Sequence, residues 1–166
     1  MTVSATGDEG YVRLATSEDI PLLEMHHRIM FEEIRKASGN PADPAVLGVV
    51  GIEYARKLAR EIPDGDCVAW ILELGDRAVA SGAVSIVSYV PVPHDPRSRI
   101  AFLHSVYTEK EYRHRHFARR ITQAAAGYYR TQGIRRLYLF ASDAGRSVYG
   151  KAGFVPVPNA MLLMLD

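Results

Sequence analysis

The chain has 166 residues, a formal net charge of +1 and one cysteine, Cys67. That length is the size of one ordinary domain, whose folding buries roughly 70% of the unfolded surface. A lone cysteine excludes a disulfide framework, and near-neutral charge argues against a nucleic-acid binder, which carries a strong basic excess.

No run approaches the roughly 20 apolar residues of a membrane span. The start of the chain has neither the basic patch nor the apolar run of a signal peptide. The expectation is a cytoplasmic protein with no membrane partner, made of a loose tail from Met1 to Gly10 and one domain over residues 11–166.

Tyr11 to Ala15 alternates apolar and charged residues, which predicts a short strand. Thr16 and Asp19 then read as a capping box, with Asp in place of the usual Glu or Gln. The stripe Ile20, Leu23, Met25, Ile29, Met30 and Ile34 predicts a helix to about Lys36, broken by Ser38-Gly39-Asn40-Pro41. A second helix is expected from Pro44 to Glu61, closed by Pro63-Asp64-Gly65. Cys67 to Leu74 follows as a strand with Val68, Trp70, Leu72 and Leu74 on one face. Gly75-Asp76 is a hairpin turn. Arg77 to Val90 is a longer strand with a bulge expected at Gly82, and Pro91 to Arg99 is a loop.

Ile100 to Thr108 is again strand. A helix over Phe117 to Gln132 ends at Gly133. Arg136 to Ala141 is expected as strand, Asp143 to Lys151 as a short helix, and Phe154 onward as a final strand or hairpin. The strand–helix–strand piece requires a parallel pair and the hairpin before it an antiparallel one. The fold class is therefore α/β (α+β): a mixed, mostly antiparallel sheet with helices on both faces. The apolar run Met161 to Leu165 leaves a homodimer open, since such a strand at an edge can pair.

The stretch from Thr108 to Arg120 reads TEKEYRHRHFARR. A strand ends, a basic loop follows and a long helix opens. The first turn of a helix has unpaired N–H groups and the positive end of the dipole, a ready anion site. Alone, the stretch reads equally as a solvated basic turn. His114-x-His116 lacks acidic or thiol partners at ligand spacing, so no metal is expected there. The flanks lack the interleaved aromatics of an RNA-binding surface.

A second block changes the balance. Arg113-x-x-His116-x-Ala118 resembles the acetyl-CoA-binding motif of the GNAT superfamily, R/Q-x-x-G-x-G/A at a strand–helix junction. The run from Ser142 to Phe154 resembles that family's N-x-x-A-x-x-L-Y-x-x-x-G-F, with Tyr149, Gly153 and Phe154 intact, Ser142 in place of Asn and Gly145 in place of Ala. Both blocks fall in the family's order and spacing. His116 departs from the motif's central glycine, and His114 from the frequent glycine before it.

The resemblance implies the GNAT fold and an N-acetyltransferase moving an acetyl group from acetyl-CoA to a primary amine of a small molecule or protein. The alternative is a GNAT-like domain that binds CoA or a partner with little turnover. In the enzyme reading, Val106, Tyr107 and Thr108 offer a strand edge to the pantetheine amides. The N–H groups from His114 through Arg115, His116, Phe117 and Ala118 to Arg119 hold the pyrophosphate. Arg113 and Ser142 complete the cofactor site, and Tyr149 faces the departing sulfur. A base is also needed, because a lysine-like amine is almost wholly protonated at neutral pH. His104 is the first candidate, since the resemblance puts it where some relatives carry Glu. Glu109, and a water relayed through Ser105, stand beside it.

Overall fold

The computed structural model describes residues 9–165 of the chain. Most of the expected tail therefore lies outside the described residues. Its last two residues are held, because Arg120 donates to the carbonyls of Glu9 and Gly10.

Among the described residues, five strands form one sheet in the order β1 (Tyr11–Leu14), β2 (Cys67–Leu74), β3 (Arg77–Ser88), β4 (Arg99–Thr108), β5 (Leu137–Tyr138). The first four are antiparallel, and β4 pairs β5 in parallel. α1 (Ile20–Ala37) and α2 (Pro44–Asp64) precede β2, α3 (Phe117–Thr131) connects β4 to β5, and α4 (Arg146–Lys151) follows β5.

Local chemistry explains the helix ends. The Thr16–Asp19 capping box forms as read from the sequence. Asp43 caps α2 by accepting from the Ala45 N–H at 2.8 Å, with Pro44 in the first turn. α2 carries on three residues past the expected Glu61. Pro63 sits in its last turn, and Gly65 ends it with φ +76°.

Two cores flank the sheet. On one face Leu23, Tyr54 and Leu58 of α1 and α2 cover Cys67, Ala69, Ile71 and Ala83. On the other, Phe117, Ile121, Ala125 and Tyr129 of α3 cover Trp70, Leu72, Val84 and Leu103. Gly82 lets α3 approach, since a Cβ there would lie 2.7 Å from the Ile121 methyl.

Gly82 marks a bulge as expected, but the extra residue is on the partner strand. Ser81 pairs Tyr107 and Ala83 pairs His104, so Ser105 and Val106 together oppose Gly82. Ser105 takes a left-handed φ of +57°. As a result His104 and Ser105, neighbours that a regular strand sends to opposite faces, both turn toward α1 and α2.

Three expected elements are shorter or missing. β5 keeps only Leu137 and Tyr138 of the strand expected from Arg136 to Ala141, and α4 starts at Arg146 rather than Asp143. Among the described residues, no strand forms after Phe154. Pro156 and Pro158 remove ladder donors. The apolar run beyond them finds no sheet edge, and Met161 and Leu165 are 98% and 86% exposed.

Candidate active site

β4 and β5 are in register only at Ala101–Leu137 and Phe102–Tyr138. Beyond Phe102 the strands part, because the bulge bends β4 and increases its twist. Among the described residues, β4 from Leu103 to Thr108 is paired on its β3 side alone. Val106, Tyr107 and Thr108 thus lie on a strand whose other edge is open. Phe102, Tyr138 and Phe140 stack along the mouth of the cleft, with centroids 5.7 and 5.4 Å apart.

The open edge leads into the basic loop. Arg113 donates through Nε to the Thr108 carbonyl at 2.9 Å and through Nη2 to Glu33 at 2.6 Å. Its guanidinium also lies over the Tyr107 ring, 5.5 Å from the centroid. Glu33, on α1, receives Tyr107 and Lys110 as well, at 3.4 and 3.7 Å. Arg113 therefore clamps strand, loop and α1 together.

His114 and His116 are exposed and left-handed, at φ +65° and +62°. They take the backbone conformation for which the motif uses glycine, at a cost of about 1–2 kcal/mol each for a residue with a Cβ. The first helical donor of α3 is Arg120, bonded to the His116 carbonyl at 3.0 Å. The N–H groups of Phe117, Ala118 and Arg119 precede it and have no intrahelical partner. Phe117 is buried as the helix anchor, with Arg115 over its ring.

Tyr149 is half-buried on α4 against Phe154, with centroids 5.9 Å apart. Burial pushes its phenol up to about 12, so it stays protonated at neutral pH. The Ser142 hydroxyl accepts from the Gly145 N–H at 3.2 Å and so shapes the turn before α4.

Under α1 and α2 lies a row of polar groups. The Ser85 hydroxyl is 2.9 Å from His104 Nε2, and His104 Nδ1 is 3.0 Å from the Ser105 hydroxyl. That hydroxyl is 2.7 Å from Nδ1 of His27 on α1. Both nitrogens of His104 are engaged, which leaves none for direct contact with an acceptor. His27 stacks on Tyr54 of α2, with centroids 3.8 Å apart and planes at 15°. Burial holds His27 at about 4. His104 is also held at about 4, by burial first and then by the charges of Lys57 and His27. Both rings are neutral at neutral pH.

His26, one residue earlier, is buried and bonds Ser81 at 2.8 Å. Glu109 is ion-paired with Arg77 at 2.8 Å. Sequence reasoning missed His27, Tyr54 and Ser85. The signal available for His27 was a His pair on the buried face of α1, between Leu23 and Met30.

A model described as the acetyltransferase (GNAT) family matches residues 31–154, most of the chain, and the protein belongs to that family. No curated protein matches the sequence. Among solved structures, a GCN5-related N-acetyltransferase from Ralstonia eutropha JMP134 superposes with a TM-score of 0.83 at 20% identity, over 93% of this chain and 97% of that one. A predicted acetyltransferase with acetyl-CoA from Clostridium acetobutylicum gives 0.81 at 22% identity, over 93% and 95%. A glucosamine-6-phosphate N-acetyltransferase from Arabidopsis thaliana gives 0.63 at 16%, over 94% and 98%. At these identities the likeness is one of fold.

Proposed function

We propose that the protein moves an acetyl group from acetyl-CoA to a primary amine by direct attack of the amine on the thioester. One observation carries this reading: the unpaired edge of β4 runs into a helix N-terminus with three open N–H groups. An extended amide-bearing arm and a pyrophosphate fit that pair of features. The edge Val106–Thr108 bonds amides as a strand would, and the N–H groups at Phe117, Ala118 and Arg119 receive anionic oxygens. The basic side chains Arg115 and Arg119 add positive charge. Arg113 acts on the loop's shape, since its donors are already committed.

Tyr149 supplies the proton that the departing sulfur takes. A phenol near 12 is a weak acid in the ground state and donates as thiolate charge develops. Tyr149→Phe is expected to lower turnover about tenfold or more, with acetyl-CoA affinity nearly intact. Wild-type turnover in the variant would return Tyr149 to a packing role.

A second reading, a CoA-binding domain with little turnover, is favoured by the two left-handed histidines in the loop. Calorimetry with acetyl-CoA tests what the readings share. Thiol release over a panel of primary amines separates them: the enzyme reading expects release above the background with at least one amine.

A further inference from the structure

We infer that His27 Nε2 is the atom that takes the proton from the incoming amine, and that Ser105 and His104 position His27 and share its charge. This deepens the acetyltransferase reading and rests on it. Neither recognised motif reaches α1, where His27 sits.

The argument starts from hydrogen-bond bookkeeping. A neutral imidazole has one N–H and one lone pair, and a hydroxyl gives one hydrogen. With the Ser105 hydrogen kept inside the row, Ser85–His104–Ser105–His27 is filled in two ways. In one, Ser85 donates to His104 Nε2, His104 Nδ1–H donates to Ser105, and Ser105 donates to His27 Nδ1, leaving a hydrogen on His27 Nε2. In the other every hydrogen is reversed. His27 Nδ1–H donates to Ser105, Ser105 donates to His104 Nδ1, and His104 Nε2–H donates to Ser85. That second filling leaves a lone pair on His27 Nε2.

This nitrogen is the open end of the row. It has no hydrogen-bond partner, yet it is absent from the buried unpartnered side-chain atoms, which among the described residues are His26 Nε2 and the Tyr54 hydroxyl. Its ring is fixed by the Ser105 contact and by the Tyr54 stack. Ser105 belongs to the stretch of β4 whose other edge is open, so His27 stands beside the cleft. The bulge is what makes the row continuous, because a regular β4 would turn Ser105 toward α3.

The protons balance. An ammonium gives its first proton to His27 Nε2, and the freed lone pair attacks the thioester carbonyl. His27 Nδ1–H can pass to Ser105 while the Ser105 hydrogen passes to His104 Nδ1, so one positive charge is held by either ring. As the amide forms, the C–S bond breaks and nitrogen sheds its second proton. That proton replaces the one the sulfur takes through Tyr149. The relay then loses its proton to solvent from His27 Nε2.

The groups facing the row are His26 on α1, Tyr54 and Lys57 on α2, Cys67 on β2 and Ser85 on β3, with Glu61 paired to Lys57 and Glu109 beyond His26. None is a carboxylate in contact with either ring of the row. Desolvation therefore goes unopposed, and the two rings together take one proton rather than two.

The test uses two acceptors of one shape: 2-phenylethylamine, which arrives protonated, and O-benzylhydroxylamine, which is neutral at pH 7. Each is given to wild type, His27→Gln and Ser105→Gly. Acetyl-CoA calorimetry on all three checks the donor site separately. The expected result is a loss of about 100-fold or more on 2-phenylethylamine for His27→Gln, and a smaller loss of about tenfold for Ser105→Gly. Each variant should lose less on O-benzylhydroxylamine than on 2-phenylethylamine, by a factor of about ten for His27→Gln. Equal losses on both acceptors, or no loss on either, overturn the relay. Absence of acetyl-CoA binding in wild type would instead overturn the acetyltransferase reading. Ring-nitrogen NMR of the free protein adds an arm that needs no acceptor. His27 and His104 should titrate as one coupled unit in wild type and independently in Ser105→Gly, and independent titration in wild type also overturns the relay.

Discussion

Ser105 and His116 share a backbone problem and solve it differently. With His114 they are the non-glycine residues at positive φ among the described residues, and all three lie in the candidate site. At Ser105 the left-handed turn is compensated by two short hydrogen bonds, to His27 and His104, inside the packed face. At His116 the imidazole is exposed and makes no cap hydrogen bond, so the strain is held by the loop and the helix that follows. Strain of this kind persists where the surroundings over-determine it. The comparison separates a buried device, whose side chain is the reason for the backbone, from a loop whose backbone is the reason for tolerating the side chain.

The largest expected difference between the two regions is in acid. His27 and His104 are held at about 4, below the usual 6.5 of an unfolded histidine. Protonation therefore favours the unfolded chain. The stability from keeping them neutral is complete above about pH 6.5 and is lost as pH falls toward 4. Urea unfolding should lose on the order of 3 kcal/mol across that window for His104, and less for the partly exposed His27. His104→Gln should flatten the loss. An unflattened curve in His104→Gln would mean that the buried row does not carry the acid sensitivity.

The next effect belongs to the loop. Ala118→Asp puts a negative charge beside the open N–H groups and should weaken acetyl-CoA binding by more than about 1 kcal/mol, read by calorimetry. Unchanged affinity would mean that the start of α3 is not the pyrophosphate cradle.

The smallest effect compares the two strained residues directly. His116→Gly removes a Cβ from a left-handed position and should raise stability by up to about 1 kcal/mol, reduced by the greater freedom of the unfolded chain. Acetyl-CoA binding should hold or tighten. Ser105→Gly relieves the same strain but removes two hydrogen bonds worth about 1 kcal/mol each, so it should be neutral or destabilising. Thermal unfolding of the pair checks the signs, and a gain in both variants would erase the distinction.

A row like Ser85–His104–Ser105–His27 leaves little trace in a linear string. Its members are 19, 1 and 78 positions apart. Gly82 did hint at a bulge. Which strand takes the extra residue, however, is seen only in the β3–β4 register, where Gly82 lies against Ile121 of α3. The final strand or hairpin expected from Phe154 onward was equally local, and it failed among the described residues because a strand needs an edge to pair with.

What the sequence determined by itself was whatever depends on near neighbours. The Thr16 and Asp43 caps, the α1, α2 and α3 periodicities and the Gly75-Asp76 turn are set within a few residues, as is the basic strand–helix junction at Arg113–Ala118. The tertiary structure decided what depends on distant partners. It bound the donors of Arg113 to Thr108 and Glu33, engaged both nitrogens of His104, and brought His27 against β4. The physical reason is range: caps and periodicity act across one or two turns of chain, whereas burial and hydrogen-bond pairing are fixed only when separate elements pack.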